Sequence, residues 1–227
     1  REEAEAELFD KAWVEDRELK SGKTSHYLCW RVVDNLNTVL NGFQFDFGTG
    51  GIHGSIENEV IKSDEKRVIR TFDVASYYPN LAIVNKIYPE HLGETFCNIY
   101  SDVFEQRKNY DKGTPENAMM KLALNGVYGS SNDMYSPFYD PKFTMTITIS
   151  GQLTLCMLAE KLMEIPTLEM VMINTDGLEF MVDREYDTEA EKVCMEWENK
   201  TGLTLEGGYY SKMAIANCNN YLAVEYE

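Results

Sequence analysis

The sequence predicts an α+β fold in which a small antiparallel sheet is backed by helices. The clearest strand signal is a hairpin, because apolar runs at 170–173 and 178–182 flank Asp176-Gly177. Gly177 is expected to supply the positive φ of its turn. The clearest helix signal is at 115–128, where Thr114 is a good N-cap and a proline takes the first helical position.

The other elements follow from periodicity and from breaker residues. The glycine-rich segment 47–54 is predicted as a loop, and 68–72 as a strand that ends at Asp73, before a turn at 78–80. The helix at 150–164 is expected to end at Pro166. Further helices are predicted at 2–20, 27–41, 95–110 and 188–201, and further strands at 203–206 and 221–225.

The composition is that of a soluble globular protein. Of 227 residues, 44% are hydrophobic and 26% are charged, which excludes collagen, coiled coil and bulk disorder. The formal net charge of −17 argues against a self-sufficient nucleic-acid binder, which needs a concentrated basic surface. No apolar run reaches membrane-spanning length, so no membrane partner is expected. The five cysteines form no CxxC pair, their number is odd, and no apolar signal segment is seen, so a reducing compartment is expected.

The chain is expected to be a fragment of a longer protein. It begins within a predicted helix and stops directly after the predicted strand 221–225.

Two carboxylates are the strongest candidates for chemistry. Asp73 ends a predicted strand, and Asp176 lies at the tip of the predicted hairpin. Each alone is compatible with a structural turn residue. Two such carboxylates on neighbouring strands can hold two divalent cations for in-line phosphoryl transfer.

A pair of predicted helices carries candidate anion-binding residues. Arg107 and Lys121 stand at similar distances on either side of Gly113, so in an antiparallel helical pair both cations would converge on one anion. Asn125 and Tyr128 share the helical face of Lys121. The alternative is a solvated helix pair with incidental charges.

Three motifs resemble family B DNA polymerases and occur in that family's order. Residues 72–79, FDVASYYP, resemble the first palm motif, Asp-x-x-Ser-(Leu/x)-Tyr-Pro. Residues 121–129, KLALNGVYG, resemble the fingers motif, Lys-x-x-x-Asn-x-x-Tyr-Gly, and 174–177, NTDG, resemble the second palm motif, Asp-Thr-Asp-Ser. The run 140–148 is similar to tailed-phage members. The resemblance covers residues 45–227 and is far more specific than any single motif.

The resemblance implies a role for each matching residue. Asp73 and Asp176 would be catalytic and would bind two Mg²⁺ ions together with the Val74 carbonyl, with Mn²⁺ as a substitute. Tyr78 would be the steric gate that excludes a 2′-hydroxyl. The nucleotide-binding residues would be Ser76, Tyr77, Tyr78, Arg107, Lys121, Asn125 and Tyr128, and the DNA-binding residues Gly50, Gly51, Thr175 and Tyr221.

The resemblance also implies an architecture and partners. The fold would be a ferredoxin-like palm sheet, with palm segments at 1–94 and 131–227 and a short helical-hairpin fingers insertion at 95–130. The partners would be primer-template DNA, a deoxynucleoside triphosphate, and the exonuclease and thumb domains of the full-length polymerase. A phage enzyme of this kind would act in the cytoplasm of a bacterial host.

The sequence departs from the family pattern at several positions. Asn174 replaces the first aspartate of Asp-Thr-Asp, Gly177 replaces the serine, and Gly48 replaces the tyrosine of Tyr-x-Gly-Gly. Asn219 stands where a lysine would precede Tyr221. Two alternatives therefore stay open: a non-catalytic palm-like scaffold or interaction module, and another palm nucleotidyltransferase such as a reverse transcriptase or RNA polymerase.

Overall fold

A computed structural model describes residues 12–18, 24–30 and 36–226, which form eleven β-strands and five α-helices. The strands are β1 Ala12–Glu18, β2 Thr24–Trp30, β3 Asn37–Leu40, β4 Phe43–Phe47, β5 Ile52–Ser55, β6 Glu59–Lys62, β7 Arg67–Val74, β8 Glu169–Asn174, β9 Gly177–Asp183, β10 Leu205–Asn217 and β11 Asn220–Glu225. The helices are α1 Tyr77–Val84, α2 Thr95–Arg107, α3 Pro115–Ser130, α4 Pro141–Leu162 and α5 Asp187–Thr201.

The described residues divide into two units. The first unit, from 36–75 and 151–226, contains the sheet of β3 to β11, α5 and the end of α4. The second unit, from 12–18, 24–30 and 76–150, contains the β1–β2 pair, α1 to α3 and the start of α4. The α+β class predicted from the sequence is confirmed.

The sheet of the first unit is antiparallel and has nine strands. Its order is β11-β10-β7-β9-β8-β5-β4-β3, and β6 also pairs with β10. The central strands β7 and β9 are almost wholly buried, although both also carry charged residues.

Both faces of the sheet bury apolar side chains, and each also buries a charged one. One face holds an apolar cluster of Ile69, Val171, Met172, Met181, Met213 and Ile215. On β7, Arg70 alternates with Ile69 and so projects to the opposite face, where its guanidinium bonds to Asp187 at 2.7 Å and stacks on the Phe72 and Tyr209 rings. The network ties α5 to the sheet.

Several helices begin and end as their sequences predict. The Thr114 side chain accepts a hydrogen bond from the Asn117 amide at 3.3 Å and caps α3. Gly202, with φ 71°, ends α5 in the left-handed conformation.

The helix α4 begins earlier than predicted. It starts at Pro141, nine residues before the predicted start at 150, because Asp140 accepts a hydrogen bond from the Phe143 amide. The Asp-Pro pair is a helix-start signal that periodicity alone missed.

The predicted helices at 2–20 and 27–41 are wrong where the structure describes them. Residues 12–18 and 24–30 form paired strands, and 37–40 form β3; the remaining parts of both predictions lie outside the described residues. Pairing between strands satisfies the backbone groups and overrides a weak helical pattern.

Three further predictions are corrected. The segment 47–54, predicted as a loop, is a loop only at 48–51, because residue 47 ends β4 and residues 52–54 pair with neighbouring strands as part of β5. Residues 78–80 belong to α1 and not to a turn. The amides of the first helical turn have no acceptor within the helix, so a proline, which has no amide hydrogen, is tolerated there. The strand predicted at 203–206 belongs to the 13-residue β10, which pairs with β6, β7 and β11.

Candidate metal and nucleotide site

The register of the sheet brings Asp73 and Asp176 together. Asp73 lies near the end of β7, directly opposite Gly177 at the start of β9. The Val74 amide donates a 2.7 Å hydrogen bond to the Asp176 carbonyl, which holds the tip of the β8–β9 hairpin against the end of β7. The two predicted metal ligands are therefore neighbours in the first unit.

The electrostatics of Asp73 show how close the acids are. Partial burial is the largest cause that raises the pKa of Asp73, and the charges of Asp176 and Glu206 raise it further. Glu206 lies on β10, opposite Asp73 on the other side of β7. Like charges on three adjacent segments favour protonation or a bound cation.

Gly177 is required for space and not for a positive φ. The positive φ of the hairpin tip belongs to Thr175, at 57°, so the predicted role of Gly177 is wrong. A Cβ at position 177 would lie 2.1 Å from Oδ1 of Asp73 and 3.1 Å from the Phe72 carbonyl oxygen. The absence of a side chain lets the Asp73 carboxylate lie over the hairpin.

Asn174, which replaces an aspartate of the family motif, has a structural partner. Its Nδ2 donates a hydrogen bond to the Cys218 carbonyl at 3.1 Å, a bond that an ionised aspartate cannot make. The neighbouring Thr175 hydroxyl lies 3.2 Å from Nε2 of His53 and donates to Asn174 Oδ1. Asn174 thus fastens the β8–β9 hairpin to the β10–β11 turn.

A third acidic residue, Glu179, was missed by the sequence reasoning. It lies on β9 opposite Thr71, is only 6% exposed, and accepts a 3.3 Å hydrogen bond from the Thr71 hydroxyl at Oε1. Burial, followed by the charge of Asp73, raises its pKa to about 8. The available signal was a single charged residue inside the otherwise apolar run Leu178–Val182.

The acids of the first unit are candidate ligands for a divalent cation. Oε2 of Glu179 is buried and has no hydrogen-bond partner among the described residues, and Asp73 and Asp176 repel both each other and Glu179. Oxygen ligands of this kind suit Mg²⁺ and Mn²⁺. Across the part of the chain that the structure describes, no three Asp, Glu, His or Cys side chains converge closely enough to coordinate one ion. Any ion would therefore need ligands beyond these side chains.

The predicted DNA-binding residues of the first unit lie near its strand ends. Gly50 and Gly51 belong to the β4–β5 loop, which is closed by a hydrogen bond from the Gly48 amide to the Gly51 carbonyl and held by Gln152. Tyr221 is partly exposed on β11, and the raised pKa of its phenol results from burial and then from the charge of Glu179. Tyr221 therefore lies close to the acids.

In the second unit, Arg107 and Ser76 are in direct contact. Arg107 Nη1 donates a 2.7 Å hydrogen bond to the Ser76 hydroxyl, and its Nε donates to Asn117 Oδ1 at 3.2 Å. Ser76 has φ 47° and precedes Tyr77, the first residue of α1. A guanidinium fixed beside a helix start is an arrangement suited to phosphate.

Two predicted nucleotide-binding tyrosines also meet. The Tyr78 and Tyr128 ring centroids are 4.4 Å apart, and Tyr77 stacks on Tyr78 at 5.7 Å. The Tyr128 hydroxyl lies 2.7 Å from the Thr148 hydroxyl, and burial raises the pKa of the Tyr128 phenol. Lys121 and Asn125 are exposed on α3.

Comparison with known proteins identifies the fold. No protein-family model and no curated protein matches this sequence. Among solved structures, the family B DNA polymerase from the hyperthermophilic archaeon Pyrobaculum calidifontis matches with a TM-score of 0.54 and 13% identity. The match covers 98% of this chain and 31% of the polymerase chain, so this chain spans about a third of its neighbour's length. The chain therefore shares its fold with a part of that polymerase.

Within residues 12–18, 24–30 and 36–226, no helix combines the length and apolar character that a membrane span requires.

Proposed function

We propose that this chain is the palm and fingers portion of a family B DNA-directed DNA polymerase of the tailed-phage type. It would transfer a nucleotide from a deoxynucleoside triphosphate to a primer 3′-hydroxyl on a DNA template. The observation that carries the proposal is the adjacency of Asp73, near the end of β7, and Asp176, in the turn between β8 and β9. The shared fold supports the same class of enzyme.

The acids of the first unit would hold the metal ions. Asp73, Asp176 and the Val74 carbonyl are the proposed ligands of two Mg²⁺ ions, for which Mn²⁺ would substitute. When bound, such ions lower the pKa of the attacking hydroxyl and stabilise charge on the leaving pyrophosphate. Thr175, Tyr221 and the Gly50-Gly51 loop would contact DNA.

The second unit would bind the nucleotide. Arg107 and Lys121 would offset charge on the triphosphate, and the Ser76 hydroxyl orients the guanidinium of Arg107. Tyr78, packed on Tyr128, would lie under the sugar and exclude a 2′-hydroxyl. Exonuclease and thumb domains would supply most of the contacts with the duplex. The enzyme would act in the cytoplasm of the bacterial host.

Manganese and nucleotide binding test the proposal directly. Mn²⁺ is titrated into the parent chain and into the Asp73→Asn and Asp176→Asn variants, with and without a deoxynucleoside triphosphate. Electron paramagnetic resonance measures the Mn²⁺ that stays free. We expect nucleotide to tighten Mn²⁺ binding in the parent chain, and both variants to lose at least tenfold in affinity. Asp102→Asn is the control, because Asp102 is an exposed residue of α2 and its substitution removes one negative charge, as the two test variants do. It should leave Mn²⁺ binding unchanged.

Two outcomes would contradict the proposal. Mn²⁺ binding that is absent from the parent chain, or that is equally strong in all variants, would favour the non-catalytic scaffold. Binding assays are preferable to primer extension here, since primer extension would also depend on the proposed thumb domain.

A further inference from the structure

Glu179 occupies a position where an uncharged residue would be expected. On β9 it lies two residues from Gly177 and two from Met181, so all three share one face of the sheet. Thr71 and Asp73 on β7 face the same side. The side chain is 6% exposed, and Met181 on the same face belongs to an apolar cluster. A buried carboxyl group costs free energy unless it is paired.

The surroundings of Glu179 do not supply that pairing. Oε1 accepts one hydrogen bond from the Thr71 hydroxyl, and Oε2 accepts none from the described residues. Among the described residues, the charges that act on it most strongly are those of Asp73 and Asp176, both negative. Tyr210 and Tyr221 lie close enough for the charge of Glu179 to raise the pKa of their phenols, but a neutral phenol does not offset a negative charge. Either a proton or a bound cation would neutralise this group.

We infer that Glu179 is a third acidic residue of the divalent-cation site, a positioning residue whose free Oε2 acts on the ion through its charge and through a metal-bound water. It is not a direct ligand, because no three acidic side chains among the described residues converge at coordination distance. The Thr71 hydroxyl holds Oε1 and leaves Oε2 available. The inference rests on the proposed metal site and adds to it a residue outside the three motifs.

The affinity for Mn²⁺ alone, without nucleotide or DNA, tests this role. Glu179→Gln keeps the shape and removes the charge, and we expect it to weaken Mn²⁺ binding about tenfold. Thr71→Val keeps the charge and removes the hydroxyl that orients Glu179, and we expect a smaller loss in the same direction. Glu59→Gln, an exposed glutamate on β6 of the same sheet, is the matched control and should bind as the parent chain does.

The outcomes separate this inference from the proposed function. If the parent chain binds Mn²⁺ and Glu179→Gln binds it equally well, Glu179 is only structural and the inference is wrong, whereas the proposed function stands. If the parent chain binds no Mn²⁺, both are wrong. Melting temperatures of the metal-free proteins establish that each variant is folded. Should Glu179→Gln fail to fold, unchanged binding by Thr71→Val would overturn the inference.

Discussion

The side chains of Asp73 and Glu179 are ionisable groups whose pKa values are raised for the same physical reason. Both lose water on one side to the surrounding protein, and both lie near a second carboxylate. A raised acid pKa means that the folded state binds a proton that the unfolded chain has already released.

The stability of the metal-free protein should therefore fall as the pH rises. The pKa of Glu179 changes from 4.5 to about 8 on folding, so its contribution is complete below pH 4.5 and is lost as the pH rises through about 8. The raised pKa of Asp73 adds a loss of the same sign. Urea denaturation in EDTA between pH 5 and pH 9 measures the effect.

Glu179→Gln should remove most of that pH dependence, leaving the part due to Asp73. Glu59→Gln should leave the slope of the parent chain unchanged, because its carboxylate is exposed on β6. A slope that is the same in Glu179→Gln as in the parent would show that Glu179 is ionised in the folded protein at all these pH values.

At the scale of elements, the β8–β9 hairpin depends on close approach to β7. The carboxylate of Asp73 fills the space that a side chain at 177 would need. The same hairpin is fastened near its tip by Asn174, whose amide donates to the Cys218 carbonyl. Both departures from the polymerase motif thus have a local structural reason.

We expect Gly177→Ala to displace the Asp73 side chain and to lower the free energy of unfolding by about 1 kcal/mol. The added Cβ would meet Oδ1 of Asp73, which can rotate away, and the Phe72 carbonyl oxygen, which belongs to a central strand. Urea denaturation measures the loss, and a Mn²⁺ titration follows the displaced carboxylate.

Gly50→Ala is the matched control for this change. A Cβ at position 50 has no heavy atom within 4 Å, so the substitution should change stability by less than about 0.5 kcal/mol. Equal stability and equal Mn²⁺ affinity in the two variants would mean that the Asp73 carboxylate does not rest on Gly177.

At the scale of the whole molecule, charge limits what the chain does alone. The net charge is −17, and the acids include those proposed to hold metal ions. Phosphate contacts by lysine and arginine supply most of the affinity of proteins for duplex DNA, and this chain has 21 such residues against 38 acidic ones.

We expect the isolated chain to bind primer-template DNA weakly, with a Kd of about 10 µM or weaker at physiological salt. Addition of Mg²⁺ should tighten binding by offsetting negative charge on both partners. Fluorescence anisotropy of a labelled duplex measures both. A Kd below about 1 µM without Mg²⁺ would show that the chain carries a basic surface sufficient for duplex binding.

The sequence by itself determined the features that depend on neighbouring residues. Two apolar runs and the Asp-Gly pair between them predict the β8–β9 hairpin, Thr114 predicts the start of α3, and the Gly202 cap predicts the end of α5. Asp73 and Asp176 were identified because their motifs are local. Each of these signals acts within one turn or one hairpin, where backbone hydrogen bonds and caps decide the conformation.

Only the tertiary structure decided the features that depend on residues far apart in the chain. The strands at 12–18 and 24–30 replace a predicted helix because they pair with each other, and β10 extends to 13 residues because three strands pair with it. Glu179 joins the acids because the register of β7 and β9 places it opposite Thr71. Register and burial arise from long-range pairing, which no local pattern contains.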